Sequence, residues 1–302
     1  MNIFSLYITT VLIWGSTWLA IKYQLGIVAP EVSIAYRFAL AAVILLVFCI
    51  ATGRNMRFSW RDHGAMAAQG LFLFSANYYV FYLATYDLTT GLIAVAFSLI
   101  VVTNILFGAI FLKSPIRPRV VMGAMFGISG LVAVFWPEIR AFDLANDGTV
   151  GLLLSLLGTV LASLGNMMSA ANQRRGLPVV QTNAYGMAYG ALIMFVFAVA
   201  SGQLFNIDTS ALYIGSLVYL ALFGSVLAFG CYLTMLGQIG ADRAAYATVL
   251  FPVVALALSM VFEDYQWSAN ALAGMVLVLA GNVMVLSRRK KQPAVEAHAA
   301  KT

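Results

Sequence analysis

Charged side chains are scarce in this sequence. Asp, Glu, Lys and Arg together make up 9% of the 302 residues, whereas they make up about 25% of an average soluble domain. Hydrophobic residues make up 62%, which is more apolar surface than a soluble globule can bury. The composition therefore predicts an integral membrane protein whose main solvent is lipid.

Residues that build metal and covalent sites are also few. The two cysteines, Cys49 and Cys231, lie in apolar runs, which argues against a disulfide framework. The two histidines, His63 and His298, are far apart, and no metal-ligand cluster, nucleophile triad or phosphate-binding glycine loop occurs. A membrane enzyme needs one of these groups. We therefore expect no enzyme activity, no metal and no cofactor.

The net charge of +6 does not indicate a nucleic-acid partner. Four of the positive charges, residues 288–291, stand together beside an apolar segment. A basic cluster in that position is typical of a membrane flank. The lipid bilayer and a small-molecule substrate are therefore the expected partners, and the oligomeric state is left open between monomer and homodimer.

Long apolar runs fill most of the chain. A membrane-spanning helix needs about 20 predominantly apolar residues, and ten segments meet this requirement, which predicts an all-α integral membrane protein. The segments are 4–22, 31–52, 63–85, 90–112, 119–136, 149–171, 179–201, 211–236, 243–262 and 268–287. Connections between them are short, so we expect one helical bundle without a separate soluble domain.

Features of the first half recur in the second at a nearly constant offset. The polar stretch 136–149 lies between the halves, which predicts a first repeat over 1–140, a second over 141–291 and a disordered tail over 292–302. The matched positions, 148 to 151 residues apart, are Pro30 with Pro178, Gly15-Ser16 with Gly165-Asn166, Tyr82-Leu83 with Tyr232-Leu233, and Gly123 and Gly130 with Gly274 and Gly281.

Basic residues segregate to one side of the ten-span topology. We call the side that holds both termini side B and the opposite side side A. Lys22 and Arg140 fall on side A, and Arg37 falls within a span. The other 14 of the 17 basic residues fall on side B: Arg54, Arg57, Arg61, Lys113, Arg117, Arg119, Arg174, Arg175, Arg243, Arg288, Arg289, Lys290, Lys291 and Lys301. By the positive-inside rule, both termini face the cytoplasm.

Five spans per half is an odd number, so the second half must enter the membrane inverted. Two inverted repeats related by an axis in the membrane plane are the architecture of many secondary transporters. In that architecture one binding site near the middle of the membrane can be exposed to either side in turn. The topology therefore predicts a transporter.

Two stretches resemble a known family. The sequence is similar to the two repeats of EamA-type proteins of the drug/metabolite transporter superfamily. The first stretch consists of residues 11–18 with Pro30 and residues 36–38, and the second of residues 247–252 with Glu263, Gly274 and Gly281. The resemblance extends over nearly the whole chain. It is greatest to bacterial aromatic amino-acid exporters, and it implies two five-helix repeats, a bacterial inner-membrane location and export of small metabolites.

Polar and aromatic residues fall on single faces of four predicted spans. These faces predict a pocket that hydrogen-bonds a neutral or zwitterionic solute and stacks on its apolar part. In the third span the face is Ser75, Tyr78, Tyr79, Tyr82 and Tyr86. The candidate substrate-binding residues of the four spans are Trp14, Tyr78, Tyr82, Ser163, Asn166, Ser225 and Tyr232. The alternative is that these groups join helices or form interfacial belts.

Three further residues each have two possible roles. Gly15 and Gly165 lie part-way along the first and sixth spans, where glycine permits either a hinge or close helix packing. Arg37 is the one charged residue placed well inside a span. It either binds a substrate carboxylate or extends its long side chain to the interface in a structural role.

The sequence thus predicts an exporter of small neutral or zwitterionic metabolites, with amino acids, including aromatic ones, as the leading substrates. Because Asp, Glu and His are absent from the span interiors, we expect transport without proton coupling. The alternatives are a broad metabolite or drug exporter and a membrane scaffold or receptor without transport activity.

Overall fold

The structure, a computed structural model, describes residues 2–88, 90–141, 148–251, 253–254 and 269–286, and the regular elements in these ranges are all helical. The first half holds α1 (Ile3–Lys22), α2 (Pro30–Ala51), α3 (Trp60–Leu71), α4 (Asn77–Asp87), α5 (Thr90–Ser98), α6 (Ile100–Leu112), α7 (Pro118–Val134) and α8 (Trp136–Ala141). The second half holds α9 (Gly148–Arg174), α10 (Val179–Ala200), α11 (Ala211–Tyr219), α12 (Ala228–Ile239), α13 (Ala241–Ala244) and α14 (Ala269–Leu286).

The helices have the lengths and compositions of membrane spans. Five helical stretches among the described residues are long and apolar enough to cross a bilayer: Pro30–Ala51, Val95–Leu112, Gly148–Arg174, Val179–Ala200 and Ala211–Ile239. Ile3–Thr17, Pro118–Val134 and Leu272–Val285 are shorter apolar helices. An all-helical, multi-pass membrane protein is therefore confirmed. The count of ten stays a prediction, because the second half of the ninth span and the tail 292–302 lie outside the described residues.

Local sequence signals account for several helix boundaries. Pro30 and Pro118 occupy the first turns of α2 and α7, where a missing N–H is harmless. The α3 helix starts with a capping box in which Ser59 and Asp62 bond each other's backbone N–H groups. The stretch 136–149, predicted as a connection, instead begins with the short helix α8, and its residues 142–147 lie outside the described part of the chain.

Two π-helical segments interrupt otherwise regular spans. The first π segment, Phe72–Ala76, joins α3 to α4, and the second π segment, Leu220–Leu227, joins α11 to α12. A π-helical turn accommodates an extra residue and changes the direction in which later side chains point. The two segments overlap when the halves are aligned at the offset of 150 that relates Tyr82 to Tyr232.

Helices of the two halves pack against each other closely. The α2 helix packs along α10, and α7 packs along α14. At the second of these contacts, a Cβ on Gly130 would lie 2.6 Å from the carbonyl oxygen of Gly274, and a Cβ on Gly274 would lie 2.5 Å from that of Gly130. These two glycines therefore allow the helices to pack closely, because only glycine permits this approach.

Ion pairs between the halves occur at side B. Arg175 pairs with Asp62, and the Nη1 atom of Arg117 lies 3.5 Å from a carboxylate oxygen of Asp242. At side A the halves are joined by neutral groups: the Gln24 side-chain amide donates to Ser216 at 2.6 Å, and the hydroxyls of Ser33 and Tyr213 are 3.0 Å apart. The two ends of the bundle are thus closed by different kinds of contact.

Candidate substrate-binding site

A cavity of about 90 Å³ lies between helices of both halves, which is room for several water molecules. Its wall is mainly aromatic and aliphatic, with a few polar groups. Six of the candidate residues from the sequence line it: Trp14, Arg37, Tyr78, Tyr82, Asn166 and Tyr232. These six residues from different helices therefore lie around one cavity, and substrate binding by them stays a prediction.

Arg37 is buried beside the cavity, with 2% of its surface exposed. Its Nε atom donates to the Ser225 hydroxyl at 3.0 Å, and its Nη2 atom donates to the Tyr78 hydroxyl at 3.5 Å. The guanidinium carbon lies 4.7 Å from the centre of the Tyr78 ring, in the range of a cation–π contact. The side chain therefore does not extend to the interface, and Nη1 has no partner in the protein.

Trp14 is held by the backbone of the second π segment. Its Nε1 atom donates to the carbonyl oxygen of Gly224 at 2.9 Å. Its ring packs edge-on against Phe229 and Phe251, with centroid distances of 4.7 and 5.5 Å. A bond at one edge and rings on other sides fix the orientation of the indole in the cavity wall.

Asn166 belongs to a polar cluster between α6, α9 and α12. Its Nδ2 atom donates to the Tyr232 hydroxyl at 3.0 Å and to Asn104 Oδ1 at 3.4 Å. Ser163 donates to the same Asn104 oxygen at 2.6 Å and does not line the cavity. The predicted role of Ser163 as a direct contact therefore has no geometric support here, and its observed role is to orient Asn104.

Ser225 is likewise placed behind the cavity wall rather than in it. Its hydroxyl is buried and accepts from Arg37. The sequence pattern was right that Ser225 points inward, but an arginine from another helix stands between it and the cavity. Its observed contact therefore positions Arg37.

Gly15 and Gly165 lie in uninterrupted α-helices. A Cβ on Gly15 would lie 2.5 Å from the Cβ of Val254, and a Cβ on Gly165 would lie 2.7 Å from that of Leu73. This geometry supports the packing role for both glycines. The described chain departs from α-helical geometry in the two π segments and in a 3-10 segment, Ala245–Leu250, and a hinge at either glycine stays a prediction.

The inward face of the third span differs from the predicted one. Tyr78 and Tyr82 line the cavity, but Tyr79 packs against Phe197 at 5.0 Å and Tyr86 is 63% exposed. The lining residues of this helix are Asn77, Tyr78, Phe81, Tyr82 and Thr85. The real face is rotated by roughly 80° from the predicted one at 100° per residue, because the prediction was centred on the tyrosines.

Sequence reasoning also missed lining residues on the fourth and ninth spans. Phe97, Ile100, Thr248 and Phe251 line the cavity, yet three of the four are apolar residues in apolar runs and gave no signal. Asn77 could have been found, because it is an amide within a long apolar segment. Its Oδ1 atom and that of Asn166 are buried without a hydrogen-bond partner.

The cavity extends toward side A. Two of its lining residues, Ile21 and Thr85, lie within two residues of the side-A ends of α1 and α4. Toward side B, the nearest lining residues are Tyr232 and Thr248. Each is seven residues from a side-B helix end, or roughly 10 Å at 1.5 Å per residue. The packed layer between the cavity and side B is therefore much thicker than the layer toward side A.

One acidic residue is buried near the side-A end. Glu31, in the first turn of α2, is 4% exposed, although the sequence predicted no acidic residue in the interior of a span. It does not line the cavity. No Asp, Glu or His is among the described lining residues, and no group of three or more His, Cys, Asp or Glu in the described chain is arranged to hold a metal.

Comparison with known proteins places both halves in one family. The model of the EamA-like transporter family matches residues 2–136 and again residues 149–287. An uncharacterized transporter from Archaeoglobus fulgidus is 26% identical over 93% of this chain and 97% of its own length. The uncharacterized inner membrane transporter YedA of Escherichia coli is 23% identical over 97% and 94%, and the protein PagO of Salmonella typhimurium is 20% identical over 96% and 94%.

A solved crystal structure shares the fold. It has a TM-score of 0.75 at 18% identity and covers 93% of this chain and 95% of its own. The family resemblance drawn from the sequence is thereby confirmed, whereas the resemblance to aromatic amino-acid exporters stays a prediction. With both halves matched and the transporters similar over nearly their full lengths, the chain belongs to the EamA-like transporter family of membrane transporters.

Proposed function

We propose that this protein exports small zwitterionic metabolites across a bacterial inner membrane, with apolar and aromatic amino acids as the preferred substrates. One observation carries the proposal: an apolar, aromatic cavity contains three buried polar atoms that lack a partner among the described residues. They are Arg37 Nη1, Asn77 Oδ1 and Asn166 Oδ1. Buried polar atoms are nearly always paired, and a polar ligand in the cavity would supply partners for all three.

The three atoms match the two ends of an amino acid. Arg37 Nη1 is a charged donor, which suits a carboxylate. The amide oxygens of Asn77 and Asn166 are acceptors, which suit an ammonium group. Trp14 and Phe229 offer ring surface for an apolar side chain. A hydrophobic drug without charged ends would leave all three polar atoms unpaired, at about 1–3 kcal/mol each.

The shape of the cavity supports alternating access. A cavity that extends toward side A, with a thin neutral layer there and a thick, ion-paired layer at side B, is what an outward-facing, occluded state of an inverted-repeat carrier would show. The positive-inside rule makes side B cytoplasmic. Export would then require that the Asp62–Arg175 and Arg117–Asp242 pairs separate when the cavity opens to the cytoplasm.

The lining supports transport without proton coupling. A proton antiporter usually carries an ionisable group in its pathway, and the described lining has no carboxylate or imidazole. Facilitated diffusion down a gradient maintained by synthesis would suffice for export. Accumulation of substrate in proteoliposomes well above equilibrium under a pH gradient alone would contradict this part of the proposal.

A flux assay tests the substrate class. Purified protein in proteoliposomes would be given radiolabelled phenylalanine, leucine, phenylalaninamide and phenethylamine, which together vary the carboxylate and the ring. We expect saturable flux of both amino acids and at least tenfold less of the two carboxylate-free compounds. Equal flux of all four would favour the broad metabolite or drug exporter, and no flux of any would favour a non-transport role.

Labelling of single cysteines tests the orientation. An impermeant thiol reagent applied to intact cells should modify cysteine at Asp208, which is partly exposed on side A, and spare cysteine at Arg57, which is exposed on side B. The two native cysteines are buried and should not interfere. Reversed labelling would overturn the assignment of side B to the cytoplasm.

A further inference from the structure

No acidic residue in the described part of the chain pairs with Arg37. Its contacts there are to neutral groups: the Ser225 and Tyr78 hydroxyls, the faces of the Tyr78 and Phe38 rings, and the neighbouring Tyr82 and Gly224. An arginine stays protonated in proteins, and a buried charge is costly unless it is paired. The guanidinium therefore calls for a negative charge that the described residues do not provide.

The surroundings of the guanidinium leave one edge open. Tyr78 and Phe38 lie over its faces, with ring centres 4.7 and 5.2 Å from the guanidinium carbon. The Nε edge is bonded to Ser225, and Nη2 lies against Gly224, where an added Cβ would be 3.2 Å away. Only Nη1 is unpartnered, and the side chain lines the cavity. A ligand can therefore approach only in the plane of the guanidinium, at Nη1.

We propose that Arg37 Nη1 forms an exchangeable site for a small inorganic anion of chloride size. The anion balances the guanidinium when no substrate is bound, and it leaves when a carboxylate takes the same nitrogen. The existence of the anion site does not depend on the proposed function, whereas the competition with a carboxylate rests on it. Transport should then respond to the kind of anion in the buffer as well as to ionic strength.

Thermal unfolding of the purified protein tests the site. Chloride would be titrated against gluconate at constant ionic strength, because the polyhydroxyl chain of gluconate does not suit a cavity whose wall is mainly aromatic and aliphatic. A ligand that binds only the folded state stabilises it by mass action. We expect the unfolding temperature to rise by about 2–4 °C at chloride concentrations about tenfold above its dissociation constant and then to keep rising with the logarithm of the concentration, with a similar rise for bromide.

Two arginine variants locate the effect. Arg37→Gln should abolish the difference between chloride and gluconate, and Arg37→Lys should retain a weaker one because it keeps a positive charge. Arg54→Gln is the matched control, since Arg54 is exposed and also has a cation–π contact, with Phe48. It should respond to chloride as the parent does.

The possible outcomes separate this inference from the proposed function. The anion site is refuted if the parent does not distinguish chloride from gluconate, or if Arg37→Gln responds like the parent. If Arg37→Gln does not fold, anomalous scattering from bromide in parent crystals decides, and the absence of a peak at Nη1 refutes the site. An Arg37-dependent response without amino-acid flux would keep the anion site and overturn the proposed function.

Where amino acids are transported, competition gives a second measurement. The half-saturating concentration of phenylalanine should rise about twofold when chloride equals its own dissociation constant, with the maximal rate unchanged. An unchanged half-saturating concentration would show that the anion and the carboxylate use different atoms, which would overturn the shared nitrogen.

Discussion

The two π segments occupy equivalent positions in the two halves, but they make different hydrogen bonds. Ser75 and Ser225 are 150 residues apart, and both are fully buried within a π segment. The Ser75 hydroxyl bonds to carbonyl oxygens of its own helix, at 2.8 Å to Leu71 and 3.2 Å to Gly70. The Ser225 hydroxyl instead accepts from Arg37 of α2.

The backbone of the second π segment shows the same difference. The carbonyl oxygen of Gly224 accepts from Trp14 of α1, so this segment holds two cavity residues that come from other helices. The first π segment satisfies its serine locally. The halves thus share the irregular backbone while only the second half uses it to position side chains of the site. Four predictions test this difference.

Replacing the two serines by alanine should give the largest contrast. Ser225→Ala leaves Arg37 Nε buried without an acceptor, at about 1.5–3 kcal/mol for a bond to a charged group, or roughly tenfold to hundredfold in amino-acid flux. Ser75→Ala removes only a local bond and should change flux by less than about threefold. Flux normalised to the amount of folded protein measures both. Equal losses would mean that the two segments have the same role.

The tyrosine pair should give the next contrast. Tyr232→Phe removes the closer acceptor of Asn166 Nδ2 and should lower the affinity for substrate by roughly fivefold to tenfold, at about 1 kcal/mol or somewhat more. Tyr82→Phe keeps its ring and should cost less, whereas Tyr82→Ala and Asn166→Ala should each cost severalfold or more.

Competition between labelled and unlabelled substrate gives these affinities. Val47→Ala and Val276→Ala serve as controls, because both valines are more than half exposed on the outside of the bundle. Parent-like affinity of Tyr82→Ala and Asn166→Ala would remove these residues from the site.

Trp14→Phe should have a moderate effect. It retains an aromatic ring but removes the N–H that bonds the Gly224 carbonyl, at about 1 kcal/mol, or roughly fivefold in flux. Trp136→Phe is the control, since Trp136 is 42% exposed and lies outside the cavity. If Trp14→Phe matched the parent in flux, the second π segment would position only Arg37 and not Trp14.

Asp62→Asn should have the smallest effect, confined to side B. The hydrogen bond from Ser59, and then the charge of Arg175, hold the pKa of Asp62 below its ordinary value. A lowered pKa stabilises the folded state above the unfolded-state pKa of about 3.9 and loses that contribution as pH falls through the folded-state pKa. The unfolding temperature of Asp62→Asn should therefore be slightly below the parent's at pH 7 and converge with it in acid. A gap that widened in acid would contradict this sign.

The sequence was sufficient to predict the repeats and about a third of the residues in the cavity wall. Hydropathy located the spans, and helical periodicity brought Trp14, Asn166 and Tyr232 to one side. Both predictions need only a regular helix and an apolar outer surface, and those conditions hold for α1 and α9.

The remainder depends on irregular backbone and on contacts between distant helices. A π segment changes the phase of the residues after it, and no residue pattern in Phe72–Ala76 indicated one. Ser163 and Ser225 point inward as periodicity predicted, but Asn104 and Arg37 stand between them and the cavity. The distance between helices decides which of two inward-facing side chains reaches the cavity. That distance cannot be derived from a single sequence.

The crossing of α7 and α14 limits how far the two halves can diverge. The backbone at Gly130 occupies the space that a side chain at position 274 would need, and the backbone at Gly274 occupies the space that a side chain at position 130 would need. Alanine at either position would push the partner helix away. No substitution of the partner glycine could compensate, because glycine is already the smallest residue. The serines of the π segments were free to acquire separate tasks, but these two glycines form a pair that neither half can alter on its own.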